Sequence, residues 1–126
     1  AIEEALRFDG PVQGLFRGTT RDVEIAGVRV PAGKPVMFLL GAANRDPRHF
    51  PDADEFRLDR DSNDHLAFGW GIHLCLGAPL ARMEARITAE VLLKRVQRLE
   101  PAGQPERFES FLLRGLQRMP VRIDAN

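Results

Sequence analysis

Between Phe68 and Gly77 the chain spaces three glycines around its only cysteine, in the order Phe68-Gly69-Trp70-Gly71-Ile72-His73-Leu74-Cys75-Leu76-Gly77. Glycines at alternate positions favour a tight loop, because glycine alone takes positive φ without steric cost. Beyond the loop, Leu76, Leu80, Met83, Ile87 and Val91 recur every three or four residues. That period predicts a long amphipathic helix from Leu76 to Leu99, ended by Pro101-Ala102-Gly103. Any fold of this chain must therefore deliver Cys75 where a glycine loop enters a helix.

A cysteine at a helix start faces unpaired N–H groups and the positive end of the helix dipole, which favour the thiolate. Gly69 and Gly71 allow backbone N–H groups to turn towards the sulfur, Gly77 clears space beside it for a planar ligand, and Phe68 can shield it from water. Three readings of Cys75 stand side by side. It is a small buried hydrophobe, a nucleophile with His73 as base, or a single thiolate ligand of haem iron. One cysteine with His65 and His73 fits no usual structural zinc spacing.

The remaining composition is that of a globular chain. Its 126 residues are 44% hydrophobic, with 18 Lys+Arg balancing 18 Asp+Glu, which argues against a nucleic-acid binder. No apolar run approaches the roughly 20 residues of a membrane span, so no membrane anchor is expected. The sequence opens on Ala1 within a helical pattern reaching Phe8, without an initiator methionine, and reads as a fragment. Asp9-Gly10-Pro11 breaks that helix. From Val12 to Leu40, alternation and the turns at Ala26-Gly27 and Pro31-Ala32-Gly33-Lys34 predict three short strands in one antiparallel sheet, the last one buried. Gly41 to Ala67 is polar and acidic and reads as a packed irregular loop anchored by Phe50, Phe56 and Leu58. Asp46-Pro47 in it starts one helical turn. Phe108 to Ile123 reads as a hairpin around Arg114-Gly115.

Phe68-Gly69-x-Gly71-x-His73-x-Cys75-x-Gly77 resembles the cysteine-ligand loop of the cytochrome P-450 family, the haem-thiolate monooxygenases. Glu4-Ala5-Leu6-Arg7 matches the family's Glu-x-x-Arg pair on the helix ahead of a small sheet. Ala43-Asn44-Arg45-Asp46-Pro47 and Phe50-Pro51-Asp52 resemble the segment after that sheet. Leu66-Ala67 enters the ligand loop, and Gly77-Ala78-x-Leu80-Ala81-Arg82 leaves it, as in soluble bacterial members. The resemblance spans essentially the whole chain, in family order.

This resemblance implies a mainly α fold with small antiparallel β-sheets (α+β). Residues 1–126 would form the C-terminal part of a single domain: Glu-x-x-Arg helix, small sheet, irregular loop, cysteine-ligand loop, long helix and terminal hairpin. It implies Cys75 as the axial iron ligand of heme b (iron protoporphyrin IX), with electron donation that favours O–O cleavage. His73 and Arg17 would bond haem propionates, which suit the planar fork of arginine. Phe68, Gly69, Gly71 and Gly77 would complete the cofactor cradle. Glu4 and Arg7 would be a structural pair. Family members often complete that pair with an arginine just before the loop phenylalanine; here Glu55 precedes Phe56, so either Arg57 or Arg60 supplies the third partner or the triad is only a pair. Val12, Leu112 and Leu113 would contact substrate.

The implied activity is insertion of one oxygen atom of O2 into an apolar small-molecule substrate. Electrons would come from a ferredoxin-type donor with an NAD(P)H-dependent reductase, in the cytoplasm. The oxygen-activating residues of the family lie upstream of this chain, so the fragment alone is expected to be inactive and to lack the core its apolar faces are made to meet. A truncated non-catalytic haem-binding remnant and a peroxide-using relative are the alternatives.

Overall fold

The computed structural model describes residues 1–60 and 63–126. Asp61, one of the acidic residues of the irregular loop, falls outside them. The chain opens with α1 (Ile2–Asp9), which carries Glu3 and Glu4 in its first turn and Arg7 in its last, as the helix dipole favours. It stops at Gly10, which is extended ahead of Pro11.

Four strands follow where three were expected, and they form two ladders. β1 (Leu15–Gly18) pairs with β4 (Pro35–Phe38), whereas β2 (Val23–Ile25) pairs with β3 (Val28–Val30) through the Ala26-Gly27 turn. Pairing the first strand with the fourth makes β2–β3 an outlying hairpin. The last strand is not buried: Val36 and Met37 are half-buried and Phe38 is exposed. Its apolar continuation turns instead into a short helix, α2 (Leu40–Ala43), with Leu40 in the core.

The irregular loop is anchored differently from its aromatic spacing. Phe50 is buried, but Phe56 and Leu58 are exposed. Asp46 accepts the Arg48 N–H at 2.9 Å and starts the single expected turn. What holds the loop is a polar cluster. The largest fully buried side chains are Arg7, Glu4 and Asn44, so the centre of this chain is an ion pair set in carbonyls.

The long helix, α3, runs Ala78–Arg95 and is shorter than expected at both ends. Gly77 caps it, Pro79 lies in its first turn, and Lys94 and Arg95 close it. Val96 to Pro101 leaves the helix as β5 because it pairs antiparallel with β8 (Val121–Ala125), setting Leu99 opposite Ile123. The terminal hairpin is β6 (Glu106–Arg107) against β7 (Leu116–Arg118), so Gly115 adjoins the second strand and is not the tip. On α3 the half-buried positions are Ala81, Ala85 and Ala89. The larger stripe of Leu80, Met83, Ile87 and Val91 is exposed. No helix of the described residues is long and apolar enough to cross a membrane.

Candidate functional site

The cysteine loop is built by two glycines and three backbone bonds. Gly69 and Gly71 take φ of 76° and 64°, values that side chains resist. The Gly69 N–H donates to the Leu66 carbonyl at 2.9 Å, and the Leu74 N–H donates to the Gly71 carbonyl at 3.1 Å. The Cys75 N–H donates to the Phe68 carbonyl at 2.9 Å. Residues Gly71–His73 form a single 3-10 turn between these bonds.

Cys75 is exposed. Within the described residues it packs against no core. It precedes the helix cap, and its carbonyl accepts the Ala78 N–H at 3.2 Å, so the sulfur stands ahead of the helix start rather than within it. Among the described residues no hydrogen bond joins His73 to Cys75, and none of them form a His/Cys/Asp/Glu cluster able to hold a metal ion. The nucleophile and zinc readings therefore gain no geometry.

Arg17 and His73, distant in sequence, line one cavity of about 290 Å³ with Leu15, Phe38, Leu40, Leu66, Gly69 and Trp70. Arg17 keeps a bond from its guanidinium to the Phe16 carbonyl at 2.8 Å. An arginine and a histidine on the rim of an apolar space suit a flat apolar molecule bearing carboxylates. Gly77 has an ordinary φ of −80°, so its lack of side chain is explained by space. A Cβ there would meet only the Cys75 Sγ, at 3.8 Å. An exposed thiol, a cleared face beside it and carboxylate-binding groups on one cavity together fit haem.

A second, more open apolar cavity of about 490 Å³ is lined by Val12, Gly14, Leu15, Ser110, Phe111, Leu112 and Leu113. Val12 bridges antiparallel to Leu113, and the Gln13 N–H donates to the Leu112 carbonyl at 2.8 Å. Leu15 belongs to both cavities, so they share a wall.

The Glu4–Arg7 pair underlies this assembly. Arg7 uses all five of its donors: two on Glu4 at 2.8 Å, and one each on the carbonyls of Asn44, Ala53 and Glu55. Glu4 also accepts the Arg57 backbone N–H at 2.8 Å, Arg60 Nε at 3.0 Å and Asn63 Nδ2 at 3.0 Å. The third side chain of the pair is thus Arg60. The Arg57 side chain turns outward to Asp52 and Asp59. Bonding to Arg7, above all, holds the Glu4 carboxyl well below its usual range, against the opposing effect of burial.

Three residues with a part in the loop escape sequence reasoning. Buried Asn44 accepts the Leu66 N–H at 2.6 Å, tying the chain just before the loop to the Arg7 cluster. His65 accepts the Ala67 N–H on Nδ1 at 3.2 Å, which leaves Nε2–H to donate to Glu3 at 2.9 Å. Arg82 grips the same Glu3 with two bonds, at 2.8 and 2.9 Å. Polar residues at such separations carry no periodic signal.

The described residues combine helices with four two-stranded antiparallel ladders, and they present an exposed cysteine in a glycine loop that also lines an apolar cavity with Arg17. The chain belongs to the cytochrome P450 family, whose model matches residues 1–124. It is 43% identical over 123 residues to cytochrome P450 CYP199A2 of Rhodopseudomonas palustris, covering 98% of this chain and 30% of that one. It resembles P450BioI, solved with acyl carrier protein ligated to hexadec-9Z-enoic acid, at TM-score 0.94 and 42% identity over 98% of this chain and 32% of that one. CYP109E1 of Bacillus megaterium, solved with testosterone, matches at TM-score 0.92 and 43% identity, over 96% of this chain and 34% of that one. The chain spans about 30% of the length of the curated relatives it matches.

Proposed function

We propose that this chain supplies the haem-ligand part of a monooxygenase, as the C-terminal portion of a single cytochrome P450 domain. The observation that carries this reading is the convergence of Arg17 and His73 on one apolar cavity beside the glycine loop that exposes Cys75. In this reading the Cys75 thiolate is the axial ligand of heme b, and Arg17 and His73 bond its propionates. Phe68 covers the sulfur, and Gly69, Gly71 and Gly77 leave the cofactor room. Iron held there supplies dioxygen activation and transfer of one oxygen atom to an organic substrate. Val12, Leu112 and Leu113 offer an apolar wall for that substrate, and the steroid and fatty-acyl ligands named for solved relatives are of that chemical kind. A ferredoxin-type donor with an NAD(P)H-dependent reductase, acting in the cytoplasm, completes the proposal. Glu4, Arg7 and Arg60 act on structure alone.

A non-catalytic haem-binding role is the second reading. The test is to load the protein at its natural length with haemin, reduce it, add carbon monoxide and record the Soret band. A strongly red-shifted band that is lost in Cys75→Ser supports thiolate ligation. An unshifted band from folded protein refutes it. Oxygenated product formed from an apolar substrate with electrons supplied separates the enzyme from the binder.

A further inference from the structure

Asp9 ends α1, where a carboxylate opposes the negative end of the helix dipole. The helix gives no reason for it, but two arginines of the terminal hairpin do. Arg114 Nε pairs with Asp9 Oδ1, and a guanidinium nitrogen of Arg107 lies 3.5 Å from Oδ2. Arg107 closes β6 and Arg114 precedes β7, so one carboxylate holds both ends of the segment between them. Within that segment Ser110 Oγ accepts the Leu113 N–H at 3.0 Å. The Phe108 ring lies so close to Gly115 that a Cβ there would run into it.

Residues 110 to 113 form one wall of the apolar cleft of about 490 Å³, and Val12, Gly14 and Leu15 form the other. The Val12 wall is tied to α2 and to the end of α1. The Gln13 carbonyl accepts the Gly41 N–H at 3.1 Å, and Gln13 Nε2 donates to the Gly10 carbonyl at 2.7 Å. The hairpin wall joins no larger sheet, since among the described residues β6 and β7 pair only with each other. Its backbone meets the first wall where the Arg114 N–H donates to the Pro11 carbonyl at 2.7 Å and Leu112 accepts from Gln13. Asp9 adds the side-chain hold on its two ends.

We infer that Asp9 is a positioning residue for substrate selection: by clamping Arg107 and Arg114 it fixes the spacing of the two cleft walls, and so the bulk of apolar molecule admitted. This rests on the proposed reading of the cleft as a substrate wall. A carboxylate suits the task because each of its oxygens can take a separate arginine. Asparagine keeps the size and shape but turns a donor towards one of those arginines. The two pairs are half exposed, so their loss loosens the hairpin while the backbone bonds keep it in place.

The experiment uses the haem-loaded protein at its natural length and spectral titration with three iron-binding probes of rising bulk: imidazole, 4-phenylimidazole and 4-(biphenyl-4-yl)imidazole. Asp9→Asn should leave imidazole affinity unchanged and raise the biphenyl-to-phenyl affinity ratio about threefold, within the worth of a half-exposed ion pair. Arg114→Gln should move the ratio the same way, and the double variant no further than Asp9→Asn alone. An unchanged ratio, additive shifts, or an equal change for all three probes overturns the inference. Leu112→Ala is the control for the cleft itself: if it too leaves the ratio unchanged, the substrate-wall reading fails as well. Absence of the red-shifted carbon monoxide band in the unsubstituted protein overturns the haem-thiolate reading and the inference with it. If Asp9→Asn does not fold, Arg107→Gln takes its place under the same criteria.

Discussion

Arg60 Nε stands 3.0 Å from Glu4 Oε1, and that contact supplies the third side chain of the buried cluster at the heart of α1. Arg60 also donates to the carbonyls of Pro51, Asp52 and Glu55. One side chain therefore joins the helix to the loop that leads towards the cysteine.

The three arginines near Glu4 should separate cleanly in denaturant unfolding. Arg7→Ala strips two charged bonds from the buried Glu4 carboxylate and the donor from three loop carbonyls, and should cost about 3–5 kcal/mol. Arg60→Ala removes one charged hydrogen bond of several and should cost about 1–3 kcal/mol. Arg57→Ala should cost less than about 1 kcal/mol, since Glu4 takes only its backbone N–H and its side chain serves exposed carboxylates. Equal losses for Arg57 and Arg60 would refute this ranking.

Stability should fall with acid in a defined direction. Glu4, held down first by bonding to Arg7, and Glu3, held down first by bonding to Arg82, both ionise below the ordinary value of 4.5. A lowered folded-state value stabilises fully above the unfolded value, and the benefit is lost as pH drops from there through the folded value. Urea midpoints measured from pH 7 downward should therefore hold until about 4.5 and then decline. Glu4→Gln should lower the plateau and flatten the decline; an unchanged acid slope would count against the cluster as its source.

Haem retention should depend on Arg17 and His73 separately. Each lost hydrogen bond to a charged partner is worth about 1.5–3 kcal/mol. Haem affinity should accordingly fall roughly ten- to a hundredfold in Arg17→Ala or His73→Ala, with the thiolate spectrum kept in the haem that remains. Transfer of haem to an apoprotein scavenger measures this. Unchanged transfer rates in both variants would argue against propionate contacts.

Backbone strain predicts an ordering within the loop. Gly71→Ala meets open space and carries only the cost of positive φ, about 1–2 kcal/mol. Gly69→Ala adds a close approach of 3.3 Å to the His73 carbonyl and should destabilise more. Thermal unfolding of the two variants decides the order.

Local signals made the loop legible and non-local ones hid the rest. The glycines at 69 and 71 announced positive φ because that demand is met residue by residue. The end of α3 was not legible: Val96 to Pro101 continues a helical pattern, and only pairing with Val121–Ala125 makes it a strand. The Leu80–Val91 stripe has true helical period, yet the small residues Ala81, Ala85 and Ala89 face the described chain. Periodicity reports that a face is apolar and is silent about what meets it. Arg60 could be named only as one of two candidates, since choosing it over Arg57 requires the path of the loop.

Leu15, the wall common to both cavities, limits how this architecture can diversify. A larger or smaller residue there changes the proposed haem seat and the apolar cleft together, so selection on one is selection on both. Of the two cavities, positions 110 to 113 line only the cleft. Variants of new selectivity should accumulate along that segment, with position 15 held nearly constant among lineages that keep the cofactor.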